Sequence, residues 1–209
     1  LDYPLYNPQG SLTLAPDGNL YGVGSLSAVS AIFRIDADDT ITYLPEFFAF
    51  DFASASRALV PDGEGAMWVA STAFDFGGQF ATALNKLNLS TGEFFSTDSG
   101  NNSVFGNANI RADAGDIALI GDFIYGISHL ENSLGDAALY RVRKPIHPSY
   151  RPDSLLYATG VETLVRFSGL LGSSPLGGLT SDGVDTIYGT TTDGGVCGLG
   201  TIYSYKVGV

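Results

Sequence analysis

Short runs of alternating apolar and polar residues, cut by Pro-Asp-Gly, Asp-Gly and Thr-Gly punctuation, extend along the whole chain and predict strands rather than helices. Ser11 to Ala15 alternates and stops at Pro16-Asp17-Gly18. Leu20 to Val23, Ala31 to Ile35 and, past Ala37-Asp38-Asp39, Ile41 to Leu44 follow. A second set is expected at Arg57 to Val60, Met67 to Ala70, Ala83 to Leu89 and Glu93 to Ser96, with Ser90-Thr91-Gly92 as a hairpin turn. A third runs Asp116 to Ile120, Phe123 to Ile127, Ala138 to Arg143 and Glu162 to Phe167, its last hairpin interrupted by a proline-rich insertion at 145–160. The fourth runs Leu176 to Thr180, Thr186 to Thr190 and Gly200 to Val207, one strand short. No apolar stripe at helical spacing persists between the glycines and prolines.

An aromatic marks the second strand of each set: Tyr21, Trp68, Tyr125 and Tyr188, spaced 47, 57 and 63 residues apart. Periods of this size with several strands per repeat point to a propeller or solenoid. The expected fold is all-β: a single β-propeller domain over 1–209, with four blades of four antiparallel strands. The blades fall at about 8–47, 55–98, 108–168 and 172–207, and the N-terminal strand 1–6 supplies the last blade's missing strand and hides its edge. An open stack of β-meanders or a double-sheet sandwich are the alternatives. A ring of more blades, or one shared by two chains, follows if the sequence is a part; it begins at Leu1 rather than Met, as a processed or trimmed product would. The four aromatics are expected to wedge between neighbouring sheets as blade-core residues.

The last repeat is specific enough to compare with a family. Leu164-Val165-Arg166-Phe167-Ser168-Gly169 leads to Pro175-Leu176-Gly177-Gly178-Leu179, then Asp182-Gly183, Ile187-Tyr188-Gly189-Thr190-Thr191, Gly194-Gly195 and Gly200-Thr201-Ile202-Tyr203. This resembles the GloVer-type tandem repeat of bacterial exported and surface-anchored proteins. The resemblance covers 164–207 closely and 10–35 in part; the second repeat departs most, with Trp68-Val69 in place of Tyr-Gly. It implies β-propeller blades, export (secreted, periplasmic or cell-surface) and a non-catalytic role, and it carries over no active-site residue.

Charge narrows the partners. With 22 acidic residues against 10 basic and a net charge of −12, the chain repels phosphate backbones and anionic membrane surfaces. No apolar run approaches the ~20 residues of a membrane span. The single cysteine, Cys197, excludes an intrachain disulfide and sits in a glycine-rich turn with no neighbouring base.

Candidate chemistry is sparse. His129 and Glu131, two residues apart in the loop after the third set's second strand, form the only base-and-orienter pair, and together with Arg141 they are the residues a lyase or hydrolase would use. Asp36-Ala37-Asp38-Asp39 offers oxygens that Ca²⁺ could take but lacks the regular spacing and terminal Glu of a calcium loop, and reads rather as a solvated hairpin turn. No cofactor or metal is expected, with Ca²⁺ as the alternative. The loop Ser71 to Thr82 holds Phe74, Asp75, Phe76, Gln79 and Phe80, a set suited to stacking on a sugar or docking a protein, or to tucking into the core beneath. Phe47, Phe48, Phe50 and Phe52 form a second cluster, read either as an assembly patch or as burial between the first two blades. The expected role is a protein-interaction or structural assembly module. A carbohydrate-binding propeller is the alternative, and a polysaccharide lyase or hydrolase stands behind both.

Overall fold

The computed structural model describes residues 6–26, 29–44, 52–55, 59–74, 80–96, 110–111, 117–130, 137–144, 161–175 and 178–208. These residues form four antiparallel sheets in chain order. The first is a meander of β1 (Tyr6–Leu14), β2 (Leu20–Leu26), β3 (Val29–Ile35) and β4 (Ile41–Tyr43). The second contains β5 (Phe52–Ala55), β6 (Val60–Pro61), β7 (Ala66–Phe74), β8 (Phe80–Asn88) and β9 (Phe94–Ser96). The third contains β10 (Ile110–Arg111), β11 (Ala118–Ile120), β12 (Phe123–Leu130), β13 (Ala137–Arg143) and β14 (Glu162–Phe167). The fourth has β15 (Thr180–Ser181), β16 (Thr186–Thr191) and β17 (Thr201–Lys206), preceded by a 3₁₀ turn at Gly169–Leu171.

The first strand of the first three sheets is broken or bulged. β5 and β6 both pair with β7, β10 and β11 both pair with β12, and β1 keeps one strand only by shifting register between Tyr6 and Gln9 and again between Gln9 and Thr13. In the first, second and fourth sheets an aspartate accepts backbone N–H groups in the turn into the second strand. Asp182 Oδ1 accepts the backbone N–H of Val184 at 2.9 Å, and those of Asp185 and Thr186 at 3.0 Å. Asp62 Oδ1 accepts Glu64 at 2.8 Å and Ala66 at 3.0 Å. The following glycines, Gly183 (φ 77°) and Gly63 (φ 77°), adopt the left-handed backbone these turns require.

Each sheet has a backward face, toward the preceding sheet, and a forward face, toward the next. Tyr21, Val23 and Ile32 of the first sheet pack on Leu59, Met67, Val69 and Leu87 of the second. Trp68, Ala70 and Leu84 meet Ile124, Tyr140 and Val142 of the third. Tyr125, Ile127, Leu139 and Phe167 meet Leu179, Ile187, Tyr203 and Tyr205 of the fourth. The core is therefore three junctions in series. Thr13 Oγ1 donates to the Leu59 carbonyl at 2.8 Å and Ser181 Oγ to the Leu119 carbonyl at 3.2 Å, bonds that tie the first strands of adjacent sheets together.

Two expectations are corrected. Tyr6, expected in the fourth sheet, pairs with Ser25 in the first, because β1 extends N-terminally along β2; residues 1–5 lie outside the described residues, and the fourth sheet has three described strands. The loops after the second strands are also shorter than the punctuation predicts: β2 reaches Leu26, β7 reaches Phe74 and β12 reaches Leu130. Ladder pairing continues through polar residues such as Ser71, Thr72 and Ser128, where hydrophobic alternation has already faded.

Candidate interaction faces

The four sheets reuse the same positions. The aromatic on each second strand lies opposite one residue of the third strand: Tyr21 opposite Arg34, Trp68 opposite Lys86, Tyr125 opposite Arg141, and Tyr188 opposite Ser204. In three sheets an aromatic and a cation thus share the forward face. Lys86 Nζ lies 5.5 Å from the Trp68 ring centroid, a cation–π contact. It is also 3.2 Å from Oδ2 of Asp62, whose side chain is 1% exposed. Burial works to raise the Asp62 pKa, but the N–H donors of Glu64 and Ala66 and the Lys86 charge outweigh it and hold the carboxyl below its usual range. Tyr21 donates its hydroxyl to Asp17 Oδ2 at 2.9 Å, and burial together with that bond pushes the phenol up to about 12. Arg34 Nε is 2.6 Å from Asp36. Arg141 pairs with Glu162 at 2.7 Å and stacks 4.7 Å from the Phe123 ring centroid.

The next position on the second strand is a glycine in three sheets, and an aromatic stands across from it: Gly22 opposite Phe33, Gly126 opposite Tyr140, Gly189 opposite Tyr203. A Cβ at Gly126 or Gly189 would run into the facing tyrosine ring and hydroxyl, so glycine is required here for close approach and not for a special φ. The second sheet changes both members together. Val69 faces Asn85, whose Nδ2 donates to the Val69 carbonyl at 3.3 Å. The departure from Tyr-Gly at Trp68-Val69 is thus matched across the ladder.

Burial at the two ends breaks the pattern. Ile202 pairs with Thr190 as Ile32 pairs with Val23, Leu84 with Ala70 and Leu139 with Ile127. Ile32, Leu84 and Leu139 are each 0% exposed, while Ile202 is 85% exposed. Tyr188 corrects the expectation that all four aromatics are wedged: Tyr21, Trp68 and Tyr125 are at most 2% exposed, but Tyr188 is 41% exposed, because no described sheet covers the fourth sheet's forward face. The backward face of the first sheet is open as well, with Leu12, Leu14 and Ile41 about half exposed or more. A cavity of ≈ 180 Å³ lies there, lined by Gly10, Leu12, Gly22, Phe33 and Ile35 among others.

The sequence-derived candidates fare unevenly. Phe74 and Phe80 pair across the end of the β7–β8 hairpin, whereas Asp75, Phe76 and Gln79 lie outside the described residues. His129 lies within β12, not in a loop, paired with Arg111 and Ala137; Glu131 lies outside the described residues. Phe52 begins β5 opposite Ala73, and Phe47, Phe48 and Phe50 lie outside the described residues. In the Asp36 to Asp39 turn, Asp36 is held by Arg34 and Asp38 Oδ1 accepts the Thr40 N–H at 3.2 Å. Among the described residues no group of three or more His, Cys, Asp or Glu is arranged to hold a metal. Cys197 is exposed.

Sequence reasoning missed the cations Arg34, Lys86 and Arg141 as a set. Their signal lies in the third strands, where Phe33-Arg34-Ile35, Asn85-Lys86-Leu87, Tyr140-Arg141-Val142 and Tyr203-Ser204-Tyr205 occupy equivalent positions. No protein-family model matches the sequence, and no curated protein matches it either.

Proposed function

We propose that this chain is a non-catalytic module of an exported β-propeller-type protein, that its four sheets serve as blades, and that its work is to bind a protein partner or to assemble. One observation carries this reading: both ends of the stack expose large apolar side chains, Ile202 and Tyr188 beside Thr190, Ser204 and Lys206 on the fourth sheet's forward face, and Leu12, Leu14 and Ile41 on the first sheet's backward face. Ile202 and Tyr188 are exposed where the equivalent positions of the other sheets are buried, and large apolar side chains left open in this way point to an interaction site. The reuse of the aromatic, glycine and facing-aromatic positions supports a blade repeat. The resemblance of 164–207 to GloVer-type repeats supports export to the periplasm, cell surface or medium. Arg141, which an enzyme reading would recruit, is engaged by Glu162 and Phe123. No cofactor or metal enters this reading.

A glycan array probed with the purified chain separates this role from a carbohydrate-binding one. The array is expected to stay blank, while isolation from the source cells yields a stoichiometric protein complex. Saturable glycan binding that is lost on changing Phe76 and Gln79 to Ala would overturn the reading in favour of a lectin.

A further inference from the structure

We infer that the two open end faces are the two halves of one interface: the forward face of the fourth sheet packs on the backward face of the first sheet of a second copy of this chain, head to tail. This rests on the assembly reading and names its partner.

The three internal junctions show what such faces accept. At the first, Tyr21 clusters with Met67, Val69 and Leu87 of the following sheet. By ladder position these correspond to Leu20, Gly22 and Ile35 of the first sheet. Gly22 and Ile35 line the ≈ 180 Å³ cavity, whose backward-facing mouth has no described sheet over it. Tyr188, the fourth member of the aromatic series, is the side chain the repeat assigns to that position. Ile202, at the place of three fully buried side chains, would lie beside it. Leu20 fits the same pattern: it is only partly buried, while its equivalents Met67, Ile124 and Ile187 are each 0% exposed. Each copy exposes one forward and one backward face, so the contact is heterologous. It closes a ring if the rotation between copies allows and otherwise continues as a filament.

Electrostatics oppose the contact, because each copy carries −12. Repulsion between like-charged copies is screened by salt, and apolar contact is not, so assembly is expected to strengthen from low to high ionic strength.

The test uses light scattering and sedimentation on the purified chain and two surface variants. The wild type is expected at a multiple of 21.9 kDa. Ile202→Glu disables every forward face and Leu14→Glu every backward face, so each variant alone is expected to fall to a single chain. An equimolar mixture retains one intact junction and is expected to give a 1:1 pair that grows no further. Both sites are highly exposed, and far-UV circular dichroism identifies any variant that has lost the fold; in that case Ile202→Ser and Leu14→Ser replace them. A wild type that stays at 21.9 kDa up to high concentration and salt overturns the proposal, as do variants that stay assembled or fail to pair when mixed. If the wild type is monomeric and Ile202→Glu leaves its melting temperature unchanged, the faces stay open: the second copy is excluded while the reading of a different protein partner stands. If Ile202→Glu lowers the monomer's melting temperature, the ring closes within one chain and both are overturned. A monomer that binds glycans overturns both.

Discussion

Tyr203 lies directly across the β16–β17 ladder from Gly189, and its ring and hydroxyl fill the space that a side chain at position 189 would need. Burial pushes the Tyr203 phenol up to about 12. The same relationship joins Gly126 to Tyr140. An aromatic laid over a bare backbone restores the packing that glycine gives up, and the device recurs in the first, third and fourth sheets.

Gly126→Ala is therefore expected to destabilise the protein by about 1–3 kcal/mol through overpacking. Gly126→Ala combined with Tyr140→Leu should cost less than the sum of the two single changes, because removing the ring removes the collision. Urea titrations of the three variants measure the coupling.

The second sheet offers the converse experiment. Asn85→Tyr alone places a ring over Val69 and is expected to be destabilising. Adding Val69→Gly recreates the pairing found in the other sheets and should recover most of the loss. If the double variant is less stable than Asn85→Tyr, the two positions are not matched.

Equivalent ladder positions should differ sharply in cost. Leu139→Ala, at a site 0% exposed, is expected to lose about 2–5 kcal/mol. Ile202→Ala, 85% exposed, should stay within about 0.5 kcal/mol when measured in dilute solution where the chains are apart. Thermal melts at low concentration distinguish the two.

Acid should act through the turn aspartates. Three backbone N–H donors, led by Thr186 and Val184, hold Asp182 down to about 2 from its ordinary 3.8. A carboxyl whose folded pKa is depressed contributes stability that is fully present above its unfolded pKa and is lost as pH falls through the folded value. The melting temperature is thus expected to drop between about pH 4 and pH 2, and Asp182→Asn should flatten that part of the profile. Asp62, also lowered, adds to the same slope. Lys86→Met, which takes the charge partner from a carboxylate 1% exposed, is expected to cost about 1–3 kcal/mol at neutral pH.

Much of this architecture is legible in the sequence, because strands and tight turns are local. Glu162 to Phe167 is a strand with the expected bounds, and Pro16-Asp17-Gly18, Asp62-Gly63 and Asp182-Gly183 turn where their chemistry requires. Wedging of Tyr21, Trp68 and Tyr125 follows from the repeat. Exposure of Tyr188 does not, since burial depends on which sheet lies next, and Ile187-Tyr188-Gly189 reads locally like Leu20-Tyr21-Gly22, whose tyrosine is buried. The aromatic–cation pairs are hidden for another reason. Hairpins of different length separate Tyr21 from Arg34, Trp68 from Lys86 and Tyr125 from Arg141, so a constant spatial register becomes a variable sequence spacing. The extent of β12 through His129 was equally hidden, because ladder pairing there no longer follows the hydrophobic alternation.

Disulfide trapping tests the central claim, that the fourth sheet's forward face fits the first sheet's backward face, most directly. In a Cys197→Ser background, single cysteines are introduced at Tyr188 and at Leu12, which lines the first sheet's cavity and is 49% exposed, one in each chain population, and the mixture is oxidised gently. A covalent pair of two chains is expected, forming only when both variants are present and faster at high salt. The contrary result is oxidation to homodimers of either variant at the same rate, or no covalent pair at all, and it would mean that the two faces do not meet.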